Sequence, residues 1–187
     1  MDKKTYEISG TGKVTTYNWM LKSARLSLDA ARETELGQFF NYMNVLVYSA
    51  FAMEAFFNHL GSHLYKDWES KERKMSKFKK FRDFNSDLKL NHDLSKEPYC
   101  IIFDVFDFRD SLAHGRTEEI NKKEVIELSD DELRSYMIGT KWMDSCNLVN
   151  AEKVYSSVES VITEFFKAAG LGEYPFLQFH GSVYGVS

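Results

Sequence analysis

The run Phe39-Phe40-Asn41-Tyr42-Met43-Asn44-Val45-Leu46-Val47-Tyr48-Ser49-Ala50-Phe51-Ala52-Met53-Glu54-Ala55-Phe56-Phe57-Asn58-His59-Leu60 decides the fold. It is apolar nearly all the way round a helical wheel, so the segment 39–64 reads as the central helix of a bundle, covered by neighbours on most sides. Asn41, Asn44, Ser49, Glu54, Asn58 and His59 interrupt it, which argues for a buried helix and against a membrane span. Before it, from Tyr17 to Arg32, Trp19, Met20, Ala24, Leu28 and Ala31 recur at three- and four-residue steps and predict a helix that packs on the central one. After it, Lys66 to Leu90 is a charged amphipathic stretch with Met75, Phe78, Phe81, Phe84 and Leu88 along one side. Beyond Pro98, the stripe Ile101, Val105, Phe108 and Leu112 predicts a further helix, with Gly115 placed to end it. The last helix has the clearest stripe: Leu148, Ala151, Tyr155, Val158, Ile162, Phe165 and Ala169, closed by Gly170. Between these two, 125–128 is a short strand candidate, and Ser129-Asp130-Asp131-Glu132 has the form of a capping box that starts a short helix.

Composition agrees with a helical domain. The chain has 187 residues, 43% of them hydrophobic and 15% aromatic, with a formal net charge of −4. Those values exclude a disordered or fibrous protein and allow a full apolar core without disulfides or metals. Two prolines and ten glycines are too few for an all-β protein built from tight turns. Cys100 and Cys146 are isolated, with no C-x-x-C, as expected in a reducing cytoplasm, and no apolar leader follows Met1. The expectation is a single all-α domain over 1–187, with a helical core at about 17–170. Short extended arms are expected at 1–16, where a hairpin is the other option, and at 171–187.

The segment Phe108-Arg109-Asp110-Ser111-Leu112-Ala113-His114-Gly115 carries the chemistry. The arginine's fixed guanidinium fork suits a phosphate, gripped through two oxygens. Histidine takes and gives protons near neutrality. Asp110 and His114 are four apart, so on a helix the carboxylate can reach the imidazole and orient or charge it. An arginine, a tunable histidine and an orienting carboxylate are sufficient for RNA cleavage without a metal. The spacing adds a constraint: five residues turn a regular helix by about 140°, so Arg109 and His114 do not share a face. Either the helix distorts or a second copy of the chain completes the site. The bland alternative is a helix-capping histidine beside an arginine paired to Asp107 or Asp110.

The segment Arg109 to His114 resembles the R-x(4–6)-H motif of HEPN domains, with a polar residue directly after the arginine. Met53-Glu54-Ala55-Phe56-Phe57-Asn58 is similar to the glutamate-bearing second helix of many of them, and the resemblance extends from about Trp19 to Ala169. It implies an all-α bundle, a homodimer with two facing motifs, and a metal-independent endoribonuclease of a toxin–antitoxin, abortive-infection (phage defence) or RNA-processing system. The catalytic residues would be Arg109, His114 and Asp110, with Glu54 supporting Arg109. RNA would be the substrate, with a cognate antitoxin or a nucleotidyltransferase-like protein as a further partner. Some members are inactive scaffolds, so the alternative is a catalytically inactive HEPN-like module that binds a nucleotide, an RNA or a protein. In the toxin branch silenced by nucleotidylation a tyrosine stands two residues after the histidine; here that residue is Arg116.

Other motifs have simpler readings. Glu54 lies in the most apolar stretch of the chain, and a buried carboxylate needs a partner. Residues 71–82 hold seven lysines and arginines against Glu72, six net positive charges, leaving the remainder at ten net negative. Interleaved with Phe78 and Phe81, that stretch could track an RNA backbone through Lys74, Lys77 and Lys80, or be a solvated helix face. His59 and His63 have i, i+4 metal-binding spacing but no third ligand, and Asp104, Asp107 and Asp110 read as the polar side of a helix, so no metal or other cofactor is expected. Gly12-Lys13 lacks the remaining residues of a phosphate loop.

Overall fold

The computed structural model describes residues 8–9, 14–121, 123, 125–130, 136, 138–176 and 185–186. The chain is an all-α bundle. Among the described residues its helices are α1 (Thr16–Glu33), α2 (Gln38–Leu64), α3 (Trp68–Glu72), α4 (Lys77–Asp87), α5 (Tyr99–Ala113), α6 (Lys141–Asp144) and α7 (Leu148–Ala168). The apolar helix α2 touches α1, α3, α4, α5 and α7, as expected of a segment that has few polar positions to offer to water. Phe56, Phe57, Phe81, Phe84, Phe106, Phe165 and Phe166 are buried at the centre, and the Phe57 ring lies 5.5 to 6.1 Å from those of Phe81, Phe84 and Phe106. Offset and edge contacts of this kind let α2, α4 and α5 interdigitate.

Helix α1 has the expected extent, but its buried stripe is Tyr17, Leu21, Ala24, Leu28 and Ala31. Trp19 lies on the outer side, 52% exposed. The 66–90 stretch is two helices. α3 ends just before Arg73, and α4 begins afresh because Ser76 caps it, its hydroxyl accepting from Lys79 N at 3.2 Å. Helix α7 starts where the Asn147 side chain accepts from Asn150 N at 3.0 Å. It ends at Gly170, whose φ of +69° allows Leu171 N to reach back to Phe166 O at 3.1 Å. Only a left-handed residue can close a helix in this way, which is why glycine stands there.

One expectation fails here. The strand proposed at 125–128 is absent: these residues form no ladder, and Val125 is fully exposed. An isolated apolar–polar alternation has nothing to pair with in an all-helical neighbourhood. In the N-terminal arm, where an extended arm and a hairpin were both open, Ile8–Ser9 pairs antiparallel with Gly185–Val186, and the turn a hairpin would need at 10–13 lies outside the described residues. The helix expected from Ser129 lies outside the described residues beyond Asp130. Among the described residues no helix is long and apolar enough to cross a membrane.

Trp68 of α3 lies flat over Gly61 of α2, where any Cβ would overlap the indole. Glycine at this position therefore sets how closely α3 approaches. Gly61→Ala should destabilise the protein by about 1–3 kcal/mol, the usual cost of overpacking a filled core, measured by denaturant unfolding. An unchanged midpoint would contradict the close approach.

Candidate functional site

Three helices bring four charged side chains together. Glu54 projects from the third-last turn of α2, Lys77 opens α4, and Arg109 and Asp110 lie on the last full turn of α5. Arg109 Nη2 donates to Glu54 Oε1, and Arg109 Nη1 donates to Asp110 Oδ1 at 2.9 Å. Lys77 Nζ donates to the same Asp110 Oδ1 at 2.5 Å and lies 3.8 Å from Glu54 Oε1. Two cations and two carboxylates thus cancel in a half-buried cluster, the condition under which such charges leave bulk water without a large penalty. The Phe51 ring, 5.7 Å from Arg109 Cζ, covers the guanidinium on one side. Among the described residues the buried Arg109 Nε has no hydrogen-bond partner, so the fork is held through its two terminal nitrogens.

His114 is the C-cap of α5. Its backbone (φ −112°, ψ 13°) has left the helix, and its N–H donates to Asp110 O at 2.9 Å. The side chain is exposed and engages no group among the described residues. The expected contact between Asp110 and the His114 imidazole is therefore not formed. The carboxylate goes to Arg109 and Lys77, half-buried cations that compete better than an exposed ring beyond the last helical residue. Arg109 enters the cluster, whereas His114 stays exposed outside it.

The basic stretch is not a single exposed stripe. Lys77 is 13% exposed and belongs to the cluster just described. Lys80 is buried: its Nζ donates to Asn58 Oδ1 at 2.7 Å, lies 3.7 Å from Glu72 Oε1 and sits 5.2 Å from the Trp68 ring centre. Burial pushes its ammonium pKa below the ordinary lysine value, against the opposing pull of Glu72 and Glu54. Of the three lysines expected to track a nucleic-acid backbone, only Lys74 is exposed and free of an ion pair among the described residues. A lysine stem is apolar enough to lie inside an amphipathic helix, so the charge run concealed two inward-facing positions.

Other features fall outside the cluster. His59 packs between Tyr17 and Phe166, with ring centres at 5.3 and 6.5 Å. Among the described residues no group of three or more His, Cys, Asp or Glu is arranged to hold a metal ion. Burial raises the Cys146 thiol to about 11, which makes it a packing residue and a poor nucleophile. Sequence reasoning missed one polar cluster: Glu164 of α7 receives His92 Nε2 and the Tyr99 hydroxyl, each at 2.8 Å, with the two rings stacked at 4.4 Å. It pins the 88–98 connection to α7, and a separation of 72 residues leaves no local signal for it. A groove of about 560 Å³ runs along the other side of α5, lined by Val105, Phe108, Trp142, Asp104, Asp107 and Lys141 among others. Neither Arg109 nor His114 lines it.

No family model, curated protein or solved structure matches this chain. The site is therefore read from its own geometry.

That geometry separates two lysines by role. Lys80→Ala should lower stability by about 1 kcal/mol or more through lost packing and a lost buried hydrogen bond, and should leave the salt dependence of any RNA association unchanged. Lys74→Ala should do the reverse, flattening the salt slope with stability intact. Unfolding curves and binding isotherms at several salt concentrations distinguish them. A stable Lys80→Ala protein with a reduced slope would overturn the assignment.

Proposed function

We propose that this chain is a HEPN-like, metal-independent endoribonuclease whose working site is composite, with Arg109 from one copy and His114 from the other. One arrangement supports the reading. At the end of a single helix, Arg109 is fixed by Glu54 and Asp110, while His114, five residues on, is exposed with a side chain that engages no group among the described residues. A held cation and a free acid–base group are the two parts that transesterification of RNA requires. His114 takes the proton from the 2′-hydroxyl, and O2′ attacks the adjacent phosphorus. Arg109 meets the charge that builds on the phosphorane, the 5′-oxygen leaves by taking a proton from water, and the resulting hydroxide takes back the proton held by His114. The products are a 2′,3′-cyclic phosphate and a 5′-hydroxyl. Because the two side chains diverge on their helix, a two-fold dimer with both histidines near its axis assembles the pair.

The setting that accompanies this reading is a cytoplasmic toxin or abortive-infection effector, restrained by an antitoxin or a nucleotidyltransferase-like partner. The two free cysteines suit a reducing compartment. A second reading has an observation in its favour: both terminal nitrogens of Arg109 already donate to carboxylates. A catalytically inactive module binding a nucleotide, an RNA or a protein would keep such a network purely for structure.

Cleavage tests the two readings. RNA cleavage by the purified protein should survive EDTA and leave a 2′,3′-cyclic phosphate. Arg109→Ala and His114→Ala should each lose about 10²-fold or more. Mixing the two inactive variants should restore about a quarter of the wild-type rate, since half the dimers are mixed and each of those holds one intact site. Intact RNA with the wild type would favour the inactive alternative, and cleavage abolished by EDTA would overturn the metal-independent mechanism.

A further inference from the structure

Asp110 Oδ1 accepts from two cations on different helices, Arg109 Nη1 at 2.9 Å and Lys77 Nζ at 2.5 Å. The cations are the more enclosed partners, with side chains 20% and 13% exposed, and Asp110, at 35%, stands at the mouth. Glu54, on the other side of the fork, holds Arg109 Nη2 and lies 3.8 Å from Lys77 Nζ, so both cations keep a partner if Asp110 moves away. Helices α2, α4 and α5 therefore build the two donors into the fold, whereas the anion between them is a single side chain with access to solvent.

An anionic oxygen bridged by a guanidinium and an ammonium is the environment that a non-bridging phosphate oxygen takes up. We propose that Arg109 and Lys77 form a two-cation seat for a phosphodiester of a nucleic-acid strand, and that Asp110 occupies this seat as an internal place-holder which the backbone phosphate displaces. The occupant's class rests on the ribonuclease reading; the two-cation geometry does not. The exchange conserves charge within the seat, since one singly charged oxyanion replaces another and no cation is left uncompensated. Lys77 thereby becomes a second phosphate-binding residue, 32 positions away from the arginine. Asp110 becomes a competitor for the substrate instead of an aid to the histidine, and its removal should tighten anion binding.

Asp110→Asn tests this, because the amide keeps an oxygen acceptor of the same shape while removing the competing charge. The variant should melt lower than wild type in chloride, and its Tm should rise by about 3 °C or more on adding inorganic phosphate at matched ionic strength, the scale of a ligand near ten times its Kd. Wild type should respond less. A 2′-O-methyl RNA dodecamer, which lacks the attacking hydroxyl, should raise the variant's Tm in the same way and bind it several-fold more tightly than it binds wild type. The gain should shrink when Lys77→Ala is added. If Asp110→Asn is unfolded in chloride, recovery of the fold in phosphate supports the seat, and failure to recover overturns it. Equal or weaker dodecamer binding by a folded Asp110→Asn protein overturns the proposal. A response to phosphate without any response to the dodecamer overturns the polynucleotide as occupant. These measurements involve no cleavage, so a protein that binds as described but leaves RNA intact would refute the ribonuclease reading and keep the seat.

Discussion

A carboxylate on the least polar helix of the bundle imposes the constraint from which the candidate site follows. Glu54 is surrounded in sequence by Ala52, Met53, Ala55, Phe56 and Phe57, and its helix touches five others. A charge in that position is tolerable only with a cation brought to it. Arg109 meets this need from α5, which fixes the rotation of α5 against α2. Arg109 beside Asp110 then creates a second demand, met by Lys77 at the start of α4. The relative placement of three helices is thus tied to a half-buried network that is neutral as a whole.

The consequence for chemistry is an asymmetry on one helix. Helical geometry sends Arg109 inward, where packing and ion pairs hold it, and leaves His114 on a residue that has already left the helix. Electrostatic stabilisers work best when they are fixed before the reaction, since they then need no reorganisation as charge develops. An acid–base group must reach protons at the surface of a substrate. The two requirements are met at opposite ends of the same short motif, at the cost of placing them on different faces.

Much of this was legible in the sequence, for identifiable reasons. Helix α2 announces itself because apolar residues occupy nearly every position, and α7 because its stripe runs unbroken from Ala151 to Phe165. The sequence pattern also marked Glu54 as needing a partner, and the resemblance to HEPN domains suggested Arg109. The face of α1 was harder: Trp19 and Met20 are as apolar as Tyr17 and Leu21, and periodicity cannot choose between stripes one position apart when both are apolar. Lys77 and Lys80 were read as surface charges because composition reports the head of a lysine and not the route of its stem. The Asp110 carboxylate was assigned to the nearest histidine along the helix. Its partners are Arg109, the pairing that the bland reading held open, and Lys77, 33 residues away, which becomes visible only once α4 is in place.

A double-mutant cycle on Glu54→Ala and Arg109→Ala, measured by denaturant unfolding, tests the central claim most directly. The claim is that these two side chains bind each other and thereby set α5 against α2. The account predicts that each single variant is destabilised and that the pair is coupled by about 1 kcal/mol or more, within the range for contacting residues in one ion-pair network. Effects that add to within about 0.3 kcal/mol, as they do for independent sites, would contradict it.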